Sequence, residues 1–197
     1  MSDFFKKSIR KDIATKIASY TDFEKAKASQ IAAEKVLSMP EFKESSIVLA
    51  YLPTTNEADC TDIIKEALAQ KKTVAIPKID SALMAQQQYQ IDFYVLNAQK
   101  EIEEQTQEGP YGILEPDESC PKITFMELDS IFMLVPGVAF SINGKRLGHG
   151  KGFYDRYIDS LHKKDLKPYL CGFCLPCQIL SDIPTEDHDI SMNTVVY

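Results

Sequence analysis

Short apolar segments that alternate with amphipathic helical segments constrain the fold of this chain more than any other feature. From residue 46 onward, runs such as residues 46–51 and 130–135 are mostly apolar, which is typical of strands buried on both faces. Helical patterns separate these runs, and strands that alternate with helices indicate an α/β fold with a mostly parallel sheet. In such sheets, ligands bind beyond the carboxyl ends of the strands.

Two helices are predicted before the first strand. Over residues 3–19, an apolar side chain recurs every fourth residue and forms one stripe. The stripe consists of Phe5, Ile9, Ile13 and Ile17. Residues 22–38 form a second helical pattern, in which Thr21 and Glu24 have the spacing of a capping box and Pro40 lies just beyond the end.

The remaining elements follow from the apolar pattern and from the positions of proline and glycine. Further helices are predicted from Asp59 or Thr61 to Gln70 and over residues 153–162. The predicted strands are residues 46–51, 73–76, 90–96, 130–135, 167–175 and 194–197. Pro77 is expected to end the second strand, and residues 136–152 are expected to form a long loop.

The length of 197 residues predicts one domain over residues 1–197, and the net charge of −7 disfavours a protein that binds nucleic acid through phosphates. No apolar run reaches the ~18 residues of a membrane span. The charged N-terminus also lacks the apolar core of a signal peptide. We therefore expect a cytoplasmic protein, monomeric or weakly oligomeric, with no nucleic-acid or membrane partner.

The cysteine run Cys171, Cys174 and Cys177 has the spacing of part of an iron–sulfur or zinc site. However, the first two lie in an apolar strand-like segment, where residues three apart point to opposite faces. We therefore expect buried apolar cysteines rather than metal ligands.

Glycine is concentrated in one segment. No glycine precedes Gly109, and four of the eight glycines lie within nine residues: Gly144, Gly148, Gly150 and Gly152. The last three lead directly into a predicted helix, and glycines there let backbone amides approach a phosphate. Lys145, Arg146 and Lys151 add positive charge, and Asp155 is a candidate metal ligand. The segment matches neither the Walker nor the dinucleotide-binding pattern, so a plain flexible turn remains an alternative.

Residues 143–155 (NGKRLGHGKGFYD) closely resemble the signature loop of the 5-formyltetrahydrofolate cyclo-ligase family, also called 5,10-methenyltetrahydrofolate synthetases. Other segments resemble motifs of that family in the same order along the chain. They are residues 6–10 (KKSIR), 56–59 (NEAD), 111–116 (YGILEP), 135–140 (VPGVAF) and 188–189 (HD).

The resemblance implies a three-layer αβα fold of the NagB/RpiA/CoA-transferase type with a mostly parallel sheet. It also implies a reaction in which 5-formyltetrahydrofolate and MgATP give 5,10-methenyltetrahydrofolate, ADP and phosphate, with ATP as co-substrate and Mg²⁺ as metal. The folate substrate would carry one or several glutamates. Phosphorylation of the formyl oxygen would activate the carbon for attack by nitrogen 10 of the folate.

The resemblance further implies roles for individual residues. Arg146 and Lys151 would be catalytic cations, and Asp155 and Asp189 would hold Mg²⁺. The expected ATP contacts are Lys6, Arg10, Arg146, Leu147, Gly148, His149, Gly150, Lys151, Gly152, Phe153 and Tyr154. The expected folate contacts are Thr54, Glu57, Asp59, Tyr111 and Glu115. Either Glu57 or Asp59 would be the main acidic contact, and helix capping is the alternative role for Asp59.

Three positions depart from residues common in the family. His149 stands where many relatives have Arg or Tyr, Phe153 replaces a common Tyr, and Thr54 occupies a position expected to be apolar. None of these departures removes an essential charge. A non-catalytic folate- or nucleotide-binding module remains an alternative function, as does a sugar-phosphate isomerase or acyl-CoA transferase. Dependence on ATP separates the cyclo-ligase from the isomerase and the transferase.

Overall fold

The computed structural model describes residues 2–186 and 189–197. Its helices are α1 (Ser2–Ala18), α2 (Asp22–Ser38), α3 (Pro40–Glu44), α4 (Thr61–Ala69), α5 (Ser81–Ala85) and α6 (Phe153–His162). Its strands are β1 (Ile47–Leu49), β2 (Thr73–Ile79), β3 (Ile91–Val95), β4 (Thr106–Glu108), β5 (Leu114–Pro116), β6 (Ile131–Val135), β7 (Ala139–Ser141), β8 (Arg146–Leu147), β9 (Tyr169–Phe173), β10 (Ile179–Leu180) and β11 (Thr194–Val196).

A six-stranded sheet with the order β11-β9-β6-β1-β2-β3 forms the centre of the fold. Neighbouring strands run parallel from β11 to β2, and β3 pairs antiparallel with β2 at the edge. Val48 lies opposite both Val74 and Phe132, which sets the register at the middle of the sheet. The mostly parallel sheet predicted from the alternating pattern is confirmed.

Helices cover both faces of this sheet, so the fold has three layers. Val48 and Phe132 point toward the layer of α1 to α4, where the Phe42 ring meets the Phe132 ring edge-on at 5.6 Å. Leu49 and Met133, one residue further along each strand, point to the opposite face and pack in the same core as α6. The apolar runs therefore arise because both faces of the central strands are buried.

Two predictions about loops and strand ends are wrong. Pro77 does not end β2, which continues to Ile79 and pairs Pro77 with Phe93. The amide of Ile79 points away from β3 and donates to Glu115. Backbone nitrogens two residues apart in a strand point to the same side, so the nitrogen of Pro77 also points away from β3. Its missing hydrogen therefore costs no hydrogen bond between β2 and β3. The predicted loop over residues 136–152 contains β7 and β8, which join β10 in a small second sheet.

Of the three cysteines predicted to be buried, Cys171 and Cys174 are buried and Cys177 is half-buried. Cys171 and Cys174 are buried in the cores on opposite faces of the sheet. Burial raises the pKa of both thiols, which disfavours the thiolate that a metal would need. Across residues 2–186 and 189–197, no three His, Cys, Asp or Glu side chains are grouped to hold a metal ion. No helix within these ranges has the length and apolar character of a membrane span.

The capping box at the start of α2 yields a stability prediction. The Thr21 hydroxyl accepts from the Glu24 amide at 3.2 Å, and the Glu24 carboxylate accepts from the Thr21 amide at 2.8 Å. Thr21→Ala removes the first bond and should lower the unfolding free energy by about 1 kcal/mol. We expect the thermal midpoint to fall by about 2–4 °C. Thr15→Ala, at an exposed position inside α1, is the control and should cause no such loss. Equal midpoints for the two variants would contradict the capping assignment.

Candidate active site

Two adjoining cavities open at the carboxyl ends of β1 and β6, the edge where ligands bind in parallel sheets. The larger one, about 880 Å³, is lined by α1, residues 146–152, α6 and the segment around Asp189, and we call it the basic cleft. The smaller one, about 350 Å³, is lined mainly by apolar side chains such as Leu52 and Ile113, and we call it the apolar pocket. Four residues line both cavities: Arg146, His149, Phe153 and Tyr154.

The glycine loop, residues 143–152, forms one wall of the basic cleft. Gly150 and Gly152 have φ values of +93° and +64°, which favour glycine. A Cβ on Gly152 would also lie 2.9 Å from Nη1 of Arg156. Gly152 immediately precedes α6, and the first residues of α6 line the cleft, so the positive end of this helix lies at the cleft.

Helix α1 forms the opposite wall and contacts the loop directly. Arg10 donates from Nε to the carbonyl of Gly148 at 2.9 Å. One turn earlier, Lys6 donates from Nζ to Asp189 at 3.0 Å and to Glu186 at 3.1 Å. Burial by itself would lower the pKa of Lys6. The hydrogen bonds and negative charges of the two carboxylates outweigh this effect, so the pKa of Lys6 is raised above its ordinary value. The predicted shared face of Lys6 and Arg10 is therefore the face of α1 that lines the basic cleft.

Arg146 lies between the two cavities and is nearly buried, with a side chain 5% exposed. Its Nη2 is 2.8 Å from both carboxylate oxygens of Asp155, its Nη1 donates to the carbonyl of Pro136 at 3.1 Å, and its guanidinium lies over the Tyr154 ring. The Nε–H is buried and has no acceptor within the described part of the chain. Leaving a buried donor unpaired costs about 1–3 kcal/mol, which an acceptor brought by a ligand would recover.

The charge of the basic cleft is opposite to that of the chain. Its lining includes six lysines and arginines and four carboxylates among the described residues, whereas the whole chain has a net charge of −7. The six cations are Lys6, Lys7, Arg10, Arg146, Lys151 and Arg156. Such a local excess suits a polyanionic ligand.

All eleven residues predicted to contact ATP line this one cleft, together with Asp155 and Asp189. Two residues of the cleft, Lys151 and Arg156, also make contacts with Tyr89 that were not predicted from the sequence. Tyr89 accepts from the Lys151 ammonium at its hydroxyl, 3.0 Å away, and Arg156 bonds the Tyr89 carbonyl. Arg156 comes directly after the signature segment, so the sequence could have indicated it. Tyr89 lies near no motif, so the sequence could not have indicated Tyr89. His188, which the resemblance paired with Asp189, lies outside the described residues.

Four of the five predicted folate contacts line the apolar pocket: Thr54, Glu57, Tyr111 and Glu115. Glu57 is held by Thr54, whose amide and hydroxyl both donate to its Oε2 at 2.9 Å, and its Oε1 is 4.0 Å from Nε2 of His149. Asp59 does not line the pocket. Its carboxylate accepts from the Thr61 amide at 2.8 Å, at the start of α4. The structure thus brings Glu57, and not Asp59, to the cavity.

Glu115 is a buried acid in the wall of the apolar pocket, only 3% exposed. Burial raises its pKa, although the Ile79 amide, which donates to it at 2.9 Å, and the charge of Lys78 act in the opposite direction. Gly109 leaves the space that this side chain fills, because a Cβ there would lie 2.4 Å from the carboxyl group. Tyr111, which is 64% exposed and has a φ of +62°, forms the outer rim.

The two carboxylates predicted to hold Mg²⁺ both lie in the basic cleft, and each is paired with a predicted ATP contact. Both oxygens of Asp155 accept from Arg146, and Oδ2 of Asp189 accepts from Lys6 and from the Glu186 amide. Mg²⁺ in nucleotide sites is held by one or two carboxylates, with phosphate oxygens and waters as the other ligands. Two carboxylates in a cleft lined by six cations fit this requirement.

The sequence model of the 5-formyltetrahydrofolate cyclo-ligase family matches residues 4–197. The chain belongs to this family. Among curated cyclo-ligases, the probable enzyme of Caenorhabditis elegans is 28% identical over 195 residues, which cover 98% of this chain and 92% of that protein. The enzyme of Saccharomyces cerevisiae is 30% identical over 183 residues, which cover 87% of this chain and 84% of that protein.

Solved structures agree with this membership. The 5,10-methenyltetrahydrofolate synthetase of Aquifex aeolicus superposes with a TM-score of 0.76 at 30% identity, covering 97% of this chain and 88% of that one. The synthetase of Mycoplasma pneumoniae has a TM-score of 0.70 at 22% identity, a likeness that shows the fold alone. The three-layer fold expected from the cyclo-ligase resemblance is confirmed.

Glu115 yields a pH prediction for this cyclo-ligase family member. Because its pKa is raised in the folded state, the wild type loses stability as the pH rises through the range between the ordinary and the raised pKa. Glu115→Gln stays neutral at every pH and can still accept from the Ile79 amide. We therefore expect this variant to have a higher thermal midpoint than the wild type at neutral pH, and the gain to disappear at acidic pH.

The control for this prediction is Glu118→Gln. Glu118 pairs with Lys78, but its side chain is 91% exposed, so neutralising it should leave the midpoint nearly constant across the same pH series. A pH-independent effect of Glu115→Gln would show that burial of the charge is not the cause.

Proposed function

We propose that the chain catalyses the ATP-dependent cyclisation of 5-formyltetrahydrofolate to 5,10-methenyltetrahydrofolate, with release of ADP and phosphate. The observation that carries this proposal is the junction of the two cavities in a member of this family. A basic cleft with a glycine loop opens, at Arg146 and Tyr154, onto an apolar pocket with buried or half-buried carboxylates. This arrangement suits a triphosphate on one side and an aromatic, hydrogen-bonding substrate on the other.

The chemistry requires both cavities because a formamide carbon is a weak electrophile and its oxygen is a poor leaving group. Transfer of the γ-phosphoryl group forms a bond between phosphorus and the formyl oxygen and breaks the bond to ADP. Nitrogen 10 of the folate then attacks the formyl carbon and loses its proton. The carbon–oxygen bond breaks, and phosphate leaves. Catalysis of such a transfer is mainly positioning and charge stabilisation.

The charged residues of the cleft supply that stabilisation. Lys151 has three N–H donors, of which Tyr89 uses one, so two remain for phosphate oxygens. Arg146 lies where the two cavities meet and would stabilise negative charge on the transferred phosphoryl group. Lys6 and Arg10 would neutralise the rest of the triphosphate, and the loop amides would bond its oxygens.

Asp155 and Asp189 would hold Mg²⁺ beside these cations. When bound, the ion would neutralise phosphate charge and orient the triphosphate. The ion pairs of the two carboxylates with Arg146 and Lys6 hold both carboxylates in the cleft.

The folate would occupy the apolar pocket. Its pterin ring has N–H donors that match the Glu57 carboxylate, which Thr54 holds in place. Glu115 would offer a second acceptor deeper in the wall, and the exposed Tyr111 ring would cover the ligand. Asp59 takes no part in this proposal, because it lies at the start of α4.

Replacement of Lys151 tests the phosphate side of the proposal. Lys151→Ala removes an exposed side chain, so the fold should be unaffected, whereas kcat/KM should fall about 100-fold or more. The measurement is the absorbance of methenyltetrahydrofolate formed from 5-formyltetrahydrofolate and MgATP, with the thermal midpoint recorded for each variant.

Lys145→Ala is the matched control on the same loop, because Lys145 pairs with Asp182 and lines neither cavity. It should retain nearly full activity. Unchanged turnover of Lys151→Ala would refute the role of the loop. If the folded wild type forms no product, or forms it without ATP, the proposed reaction itself is wrong.

The folate side is tested by two acidic residues that lie two positions apart. Glu57→Gln should raise KM for 5-formyltetrahydrofolate about tenfold and leave KM for ATP unchanged, because a charged hydrogen bond to the pterin is lost. Asp59→Asn should leave both KM values unchanged and affect only stability. Steady-state kinetics with each substrate varied in turn gives the comparison. The opposite ranking of the two variants would assign the folate contact to Asp59.

A further inference from the structure

A tyrosine far from every motif in the sequence contacts the glycine loop. Tyr89 lies in the connection between β2 and β3, after α5, and its hydroxyl is 3.0 Å from the Lys151 ammonium. The same ammonium lies 4.4 Å from the centre of the Tyr89 ring. We propose that Tyr89 positions Lys151 to contact the terminal phosphate of ATP, an inference that rests on the function proposed above.

Tyr89 is itself held at several points. Arg156 donates from Nε to the Tyr89 carbonyl at 2.7 Å, and its Nη2 bonds both that carbonyl and the carbonyl of Lys151. The Tyr89 ring also meets the Phe153 ring edge-on at 5.7 Å. Arg156 and Phe153 both belong to α6, so the first turn of that helix ties Tyr89 to the end of the glycine loop.

This arrangement matters because Lys151 is exposed and has a long flexible stem. An unrestrained lysine loses rotamer entropy when its ammonium is ordered on a ligand, which weakens binding. The Tyr89 hydroxyl and ring restrict the ammonium beforehand, and two donors remain for phosphate. The bond to Tyr89 also raises the pKa of Lys151, which favours its charged form.

The segment that carries Tyr89 also belongs to the apolar pocket. Ile79 at the end of β2 and Ile91 at the start of β3 both line that pocket. The connection between them therefore extends from the proposed folate site to the lysine of the proposed ATP site. Tyr89 is the residue of this connection that bonds the glycine loop.

A double-mutant cycle on ATP binding tests the proposal. MgATP is titrated into the wild type, Tyr89→Phe, Lys151→Ala and the double variant by calorimetry, without folate, so that loss of turnover does not prevent the measurement. Tyr89→Phe keeps the ring and removes only the hydroxyl. It should weaken ATP binding about fivefold when Lys151 is present and less than about twofold when Lys151 is absent. In steady-state kinetics, Tyr89→Phe should raise KM for ATP and leave KM for 5-formyltetrahydrofolate unchanged.

Tyr94→Phe is the matched control, because Lys78 lies over the Tyr94 ring at 5.8 Å and this pair lines neither cavity. Its ATP affinity should equal that of the wild type. Equal losses from Tyr89→Phe in both Lys151 backgrounds, or no loss in either, would overturn the positioning role. A wild type that binds ATP but forms no product would refute the proposed reaction and leave the cycle decisive for Tyr89. A wild type that binds no ATP would overturn both.

Discussion

The ion pair between Arg146 and Asp155 is the contact on which the site depends. It joins β8, in the small second sheet, to the first turn of α6, and so closes the glycine loop between them. With a side chain only 5% exposed, Arg146 would be costly to bury without this carboxylate. The same guanidinium separates the basic cleft from the apolar pocket, so the structural ion pair also forms the boundary that the proposed phosphoryl transfer would cross.

Distant parts of the chain complete the cleft around this pair. Helix α1 packs in the core beside the sheet through Ile13 and presents Lys6 and Arg10 to the basic cleft. Asp189, near the other end of the chain, pairs with Lys6. The cleft thus requires the amphipathic pattern of α1, because one face of that helix is buried while an adjacent face carries the cations. A net negative chain can in this way build a local site for a polyanion.

Much of the fold could be predicted because the spacing of apolar residues along the sequence indicates which side of a helix or strand is buried. The bounds of α2 and α6 agree with the predicted ranges, and those of α1 differ by one residue, since each has a clear stripe or a capping signal. The errors arose where local rules depend on neighbours. Pro77 continues β2 because its nitrogen faces away from β3, and only the pairing of strands reveals which side that is. Strands β7 and β8 are too short, at three and two residues, for alternation to identify them.

The same division holds for the site. The sequence by itself determined the glycine loop, its cations and the resemblance to a family, because these are contiguous residues whose types and order carry the signal. Only the tertiary structure distinguished Glu57 from Asp59. Both are acids on one loop, but Glu57 lines the apolar pocket whereas Asp59 lies at the start of α4. Only the tertiary structure revealed Tyr89, whose partner Lys151 is 62 residues away along the chain. Contacts of this kind depend on how the strands and helices pack, which no local pattern of residues records.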